Sequence, residues 1–367
     1  MNIIIFLIIL LVLVLVHEWG HFFSAKKFGI RVDEFGFGFP PKIASIKKGE
    51  TEYSINALPF GGFVKIFGEN PDEENTNGPD SNRSFVNKPR WQQAIVLFAG
   101  IFMNFVLAWV LFSVGFMSGL PTSTSTIKAG ENLSNVHLMV VGVAPASPAE
   151  KAGLKSGDKI IGLQSGKDII SELNPEVLKN FVLSHGAQEI EFTYLRGTDN
   201  TKISSKITPV TNITNGNPSI GISMDEIGIL KLPFFSAVWE GFKFNISVTK
   251  ETAVGLVKFI KKSVTGKANF SEVSGPVGLV GAVGDAYKGF GLAYLLSFAA
   301  MISVNLAVIN ILPFPALDGG RLLFLLIEKI KGSRIKPKVA NIVNLVGFSL
   351  LILLMLVVTY HDIVKLL

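Results

Sequence analysis

Four long apolar runs, separated by stretches of shorter period, predict the layout of the chain. The first runs over residues 2–23, and between residues 2 and 16 it holds no charged side chain. At about 1.5 Å of rise per residue, such a helix crosses a hydrocarbon layer of about 30 Å. Similar runs over residues 91–117, 290–312 and 339–360 predict three more spans, with Arg90 and Trp91 as interface anchors of the second.

The intervening stretches have other periods. Residues 32–67 alternate Gly, Phe and β-branched side chains, as in Phe35-Gly36-Phe37-Gly38-Phe39-Pro40-Pro41 and Phe60-Gly61-Gly62-Phe63-Val64. Runs this short, broken by Gly and Pro, predict strands or a re-entrant β hairpin; an interfacial loop is the other reading. Residues 69–90 turn polar and predict a flexible loop. Residues 122–222 read as an inserted α+β module, with strands at 138–143, 159–163, 190–194 and 202–207 and a helix at 175–184 that has Pro175 in its first turn.

From residue 234 to 263 the apolar positions Val238, Phe242, Ile246, Thr249, Ala253, Leu256 and Ile260 recur in threes and fours. They predict an amphipathic helix, either lying on the membrane or packed under the module. The fold class is therefore a polytopic α-helical membrane protein with about four transmembrane helices, a membrane-associated β hairpin and an inserted α+β domain. Its expected divisions are a first membrane half (1–121), the module (122–222), an amphipathic helix and linker (223–289) and a second membrane half (290–367).

Composition agrees. In 367 residues, 49% are hydrophobic and only 17% charged, and the mean hydropathy is +0.45; this is too apolar for an ordinary soluble protein. The net charge of +6 does not point to nucleic acid, because the Lys and Arg residues gather in loops beside the spans. Lys26, Lys27 and Arg31 after the first span, and Arg321, Lys329, Lys331, Arg334, Lys336 and Lys338 before the last, put those loops on the cytoplasmic side. The first span has no basic segment before it and no small-residue cleavage site after it, so it reads as retained rather than as a signal peptide. There is no cysteine, so any metal must be held by His, Asp or Glu.

The chemistry is concentrated in two places. His17-Glu18-Trp19-Gly20-His21 lies in the far half of the first span. Helical spacing of four sets both imidazoles on one face with a carboxylate beside them, the arrangement in which two His hold zinc and Glu serves as base. Ionisable groups at membrane depth are costly and mark function; a pair of interfacial histidines capping a membrane helix is the plainer alternative. The second place is Asn310-Ile311-Leu312-Pro313-Phe314-Pro315-Ala316-Leu317-Asp318-Gly319-Gly320-Arg321, at the end of the third span. Its two prolines free backbone groups that must be satisfied by protein or water, and Asp318 is the only acid between Asp285 and Glu328. Counting spans brings His17, His21 and Asp318 to one leaflet. Two imidazoles and a carboxylate with an open water position suit a catalytic zinc.

With both motifs in view, the chain resembles the site-2 protease family of intramembrane zinc metalloproteases, in particular its bacterial RseP-like branch with a PDZ insert. The resemblance covers nearly the whole length: the His-Glu helix, the Gly/Phe-rich β region, a PDZ-like helix and turn at residues 147–160, Ser274-Gly275-Pro276-Val277-Gly278 and the Asn310–Asp318 motif. It implies zinc ligands His17, His21 and Asp318, catalytic base Glu18, and Asn310 as a substrate or oxyanion contact. One departure is Ile101 after Ala99-Gly100, where the family often has Pro; Asn104 is retained. A second is a single PDZ-like module where some relatives have two.

The expected activity is hydrolysis of peptide bonds in or near the transmembrane segments of single-pass membrane proteins, such as anti-sigma factors or remnant signal peptides. The expected place is the bacterial inner membrane, with the active site toward the cytoplasm, the PDZ-like module outside, and a chain-end ligand for that module. Two other readings stand beside this one: a non-catalytic PDZ scaffold with a structural metal, and a transporter with a His/Asp proton relay, which the paired histidines beside Glu18 fit less well. His137, His185 and His361 lie outside both motifs and are expected to be ordinary surface or interface residues.

Overall fold

The computed structural model describes residues 2–70, 72–126, 133–197, 199–214, 216–266 and 275–366. In chain order, α1 (Asn2–Lys27) leads into β1 (Val32–Lys48), β2 (Thr51–Ile66), the short α2 (Glu73–Asn77) and α3 (Arg90–Ser118). Next come β3 (Leu120–Ser123), β4 (Ser134–Val143), α4 (Pro148–Lys151), β5 (Lys159–Ser165), β6 (Asp168–Ile170) and α5 (Pro175–Ser184). The module closes with β7 (Ile190–Arg196), β8 (Thr201–Ile207), β9 (Val210–Thr214), β10 (Asn217–Ser219) and β11 (Ile222–Leu230). Four helices complete the chain: α6 (Phe234–Val264), α7 (Pro276–Asn310), α8 (Asp318–Lys331) and α9 (Pro337–Leu366). Among the described residues, four stretches are long and apolar enough to cross a membrane: Asn2–Lys27, Arg90–Ser118, Gly291–Asn310 and Pro337–Val364. The third is shorter than α7 because the helix breaks at Gly291, whose φ of 80° only glycine adopts freely.

The chain divides into two units. One comprises residues 1–112, 241–281 and 299–367, the other residues 113–240 and 282–298.

In the first unit the β region folds back on itself. Phe35 of β1 pairs with both Val64 and Tyr53 of β2, and Phe37 with both Gly62 and Ile55. Residues 32–37 therefore lie between 62–66 and 51–55, and both strands bend to allow it. The base of this small sheet packs into a cluster in which Ala25, Ile30, Val32, Ile66, Phe85, Val96 and Leu97 are buried and Val64, Leu322 and Leu325 lean against them. Glu50, in the turn between the strands, is held by Lys26 at 2.5 Å and Arg83 at 2.6 Å.

The polar segment 69–90, expected to be a flexible loop, holds short helical turns and local hydrogen bonds among its described residues. Asp72 caps α2 in a reciprocal pair with Asn75, Phe85 is buried, and Asn87 donates to the carbonyls of Thr76 and Ser81. Its Asn and Asp side chains spend their polarity on the local backbone rather than on water. At the other end of the unit, the buried Asp362 carboxylate accepts the N–H groups of Gly275 (3.2 Å) and Gly278 (2.8 Å), so residues from α9 close the start of α7. Ser274, which precedes them in the motif, lies outside the described residues.

The second unit holds a sheet in the order β3-β11-β4-β5-β7-β8, with β6 paired to β5. Leu163, Phe192 and Tyr194 fill its core, covered by Leu178, Phe181 and Val182 of α5. Asp158, 1% exposed, is gripped by Arg196. The sheet reaches past the expected limits of 122 and 222, because β3 and β11 pair with each other and add an edge. Residues 223–230 thus belong to the sheet and not to a linker. The apolar alternation of β11 is interrupted by Asp225 and Glu226, which masks the strand in the sequence.

Candidate metal centre

Helix α1 carries His17, Glu18 and His21, and the spacing of four turns both rings the same way: their centroids are 4.7 Å apart. Helix α8 begins at Asp318. The motif is thus not simply the end of the third span, since Asn310 ends α7 and a turn of seven residues, 311–317, separates it from a new helix. That turn is tight. Ala316 has a φ of +73°, and its N–H is held by Asn344 Oδ1 of α9 at 3.3 Å. A Cβ on Gly319 would lie 2.2 Å from the Leu312 carbonyl oxygen, so only glycine lets α8 start against the turn.

The turn delivers Asp318 Oδ2 to 3.2 Å from His17 Nε2 and 3.3 Å from His21 Nε2, and the two imidazole nitrogens are 3.2 Å apart. Two donors each about 2.05 Å from a tetrahedral zinc stand about 3.3 Å from one another. The three edges match that figure. Asp318 Oδ2 is buried and, despite these distances, is aligned with neither ring as a hydrogen-bond acceptor. Three donor atoms converging at these distances suit a cation, and nitrogen and carboxylate donors without thiolate suit zinc. Among the described residues this is the one group of three such donors close enough to hold a metal ion.

The second ring nitrogen of each histidine is also met. His21 Nδ1–H donates to the Val96 carbonyl at 2.8 Å. His17 Nδ1 is 3.3 Å from the amide of Asn104, a residue 1% exposed whose Oδ1 has no other partner. With a metal on Nε2, Nδ1 would carry the proton, and a half-turn of the Asn104 amide, which presents its Nδ2 here, would set that oxygen upon it. Asn104 of α3 thus bonds across to the histidine of α1. Ser303 donates to the Asn104 carbonyl at 2.8 Å, fixing the backbone there.

Glu18 Oε2 accepts the Val64 N–H at 3.0 Å, which aims its carboxylate beside the donor triangle. Asn310 Nδ2 is 3.5 Å from His17 Nε2. All five residues singled out from the sequence, His17, Glu18, His21, Asn310 and Asp318, therefore meet in one place. His137 and His185 lie in the other unit, where His185 closes α5 and contacts Asp168.

Gly100 is the residue that sequence reasoning passed over. A Cβ there would lie 2.3 Å from His21 Nε2 and 2.9 Å from His17 Cε1. The sole sign of it in the chain is the Ala99-Gly100 pair within an apolar span, which is a common pattern in helix packing. Helix α3 runs unbroken through Ile101, which is buried.

Comparison with known proteins agrees with this geometry. Residues 5–354 match the family described as Peptidase family M50. A Clostridium perfringens protein bearing a zinc metalloprotease name is 38% identical over 353 residues, 96% of this chain and 95% of the relative. Zinc metalloprotease RasP of Oceanobacillus iheyensis is 31% identical over 440 aligned positions, covering 98% of each chain. Regulator of sigma-W protease RasP of Bacillus subtilis is 32% identical over 452, covering 100% of this chain and 99% of the relative.

Proposed function

We propose how this membrane protein cuts its substrates from one premise: the chain belongs to peptidase family M50, and it is an intramembrane zinc metalloprotease. In this reading His17, His21 and Asp318 hold the zinc. When bound, zinc supplies Lewis-acid polarisation of the scissile carbonyl and makes a water acidic enough to attack near neutral pH. Glu18 takes the proton from that water and passes it to the leaving amine. The Val64 N–H leaves one lobe of its carboxylate fixed and the other free for the transfer. Asn310, beside His17, orients the substrate carbonyl through its amide N–H. The observation that carries this reading is the triangle of Nε2, Nε2 and Oδ2 with edges of 3.2, 3.2 and 3.3 Å.

A helical substrate hides its carbonyls in hydrogen bonds and must unwind before attack. The stretch 62–66 is an outer strand of the folded β region beside Glu18, which supports a role in pairing with the unwound segment. The substrates are single-pass membrane proteins cut in or near their spans; anti-sigma factors fit, given the name of the Bacillus relative. The module spanning β3 to β11 is of the PDZ type, and a free chain end is its ligand. The basic residues beside α1 and in α8 support an active site facing the cytoplasm of a bacterial inner membrane, with the module outside. The test is Glu18→Gln: cleavage of a co-expressed membrane substrate should stop while zinc content of the purified chain stays at the parental level. Retained turnover refutes the assignment.

A further inference from the structure

The stretch from Val64 to Glu69 touches both halves of the centre. Its Val64 N–H holds the Glu18 carboxylate at 3.0 Å. Five residues on, past the end of β2, the Glu69 carboxylate forms an ion pair with the Arg321 guanidinium, one helical turn after Asp318 in α8. Between these contacts, Val64 and Ile66 share a cluster with Leu322 and Leu325 of α8. The stretch is also held from behind: Phe67 N–H bonds the Arg31 carbonyl (2.9 Å), Phe85 N–H bonds the Phe67 carbonyl (2.8 Å), and the Arg31 guanidinium lies 3.7 Å over the Phe67 ring.

Arg321 stands in the first turn of α8, where the helix dipole disfavours a cation. Leu317 supplies no side-chain cap, so besides Asp318 at the centre itself the polar side chain in this first turn that can fix the helix's rotation is Arg321. A guanidinium placed there needs an anion; Glu69 pairs with it directly and the Glu18 carboxylate acts on it through space, and the Arg321 and Glu69 side chains are largely withdrawn from solvent, at 28% and 21% exposed. A partly buried bidentate-capable cation fixes geometry as well as charge.

We propose that residues 64–69 form a positioning bridge, in which the Glu69–Arg321 pair sets the rotation of α8 that presents Asp318 to the two imidazoles, while the same stretch aims Glu18. Arg321 and Glu69 are positioning residues: neither touches the donor triangle. The bridge rests on Asp318 being a zinc ligand, and the experiment separates the two claims.

The full chain is purified in lipid nanodiscs and its zinc affinity measured by competition with a chromogenic chelator, beside kcat and KM on a membrane-embedded peptide. Glu69→Gln and Arg321→Gln should each weaken zinc binding by about tenfold or more, the range seen when outer partners of a metal site are removed. kcat should fall with KM unchanged, and the double variant should be no worse than the poorer single, because the two act as one unit. Arg321→Lys, which keeps the charge but loses the planar fork, should fall between the parent and Arg321→Gln. Parental zinc affinity in both single variants overturns the bridge, as does a double variant whose loss is the sum of the singles. If Arg321→Gln does not fold, Glu69→Gln decides alone. Asp318→Ala is the reference: if it keeps its zinc, the ligand assignment fails and the bridge with it, whereas loss of zinc there but not in Glu69→Gln removes only the bridge.

Discussion

Gly100→Ala adds a single methyl group and should severely weaken the metal site. The new Cβ would lie 2.3 Å from His21 Nε2, 2.6 Å from its Cε1 and 2.9 Å from His17 Cε1. Non-bonded carbon contacts settle near about 3.5 Å, so the His21 ring must retreat by about 1.2 Å, whereas metal–ligand distances tolerate only about 0.2 Å. Helix α3 is tied to α1 by the His21–Val96 hydrogen bond and held on other sides by Ser303 and Asn245, which donate to the Asn104 and Phe105 carbonyls, so it resists backing away. Elsewhere in a helix, Gly→Ala is stabilising by about 1 kcal/mol, so the sign of this prediction separates a packed site from ordinary helix propensity. The assay is chelator competition on the purified chain, with helicity followed by circular dichroism and cleavage of a membrane substrate measured in parallel. Zinc affinity should fall by about a hundredfold and cleavage with it, while helicity is preserved. A variant that binds zinc and cleaves like the parent would refute the reasoning.

Asn104→Leu removes the acceptor for His17 Nδ1–H and should cost about tenfold to a hundredfold in zinc affinity; Asn104→Asp, which still accepts, should keep most of it, and equal losses in the two variants would deny the tautomer-fixing role. In the sheet unit, Arg196→Leu leaves Asp158 buried with only the Lys155 N–H at 2.8 Å, so thermal unfolding of that unit should register a loss of about 1–3 kcal/mol. The hydrogen bond from Lys26, opposed by burial and reinforced by Arg83, holds the Glu50 carboxyl below the usual carboxylate range. A depressed pKa contributes stability present above the unfolded value and lost as pH falls through the folded one. Hydrogen exchange in residues 49–52, corrected for its intrinsic pH dependence, should therefore quicken below the ordinary range of a glutamate, and Glu50→Gln should remove that pH step.

Much of this protein is local. An uncharged run of helix formers must bury its backbone polarity in a helix wherever lipid surrounds it, so the spans, and the shared face of His17 and His21, follow from neighbours along the chain. The same holds for the helix at Pro175–Ser184, whose Asn174 cap and proline start are written side by side. The ordering of segment 69–90 was not legible, because its polar composition looks the same whether Asn and Asp bond water or the backbone of a neighbouring turn. Nor was the full sheet, since β3 finds its partner β11 about a hundred residues further on, and β11 takes its place between β3 and β4.

At the centre, the residues by themselves specified donor types and one spacing. What only the tertiary structure decided is the distance at which they meet: the Asp318 oxygen 3.2 Å from an imidazole some three hundred positions earlier, the missing methyl of Gly100 that makes room for the rings, and the Asn104 amide behind them. Chemistry resides in side chains and can be read one residue at a time, but coordination depends on tenths of an ångström between elements, and those are set by packing from every side at once.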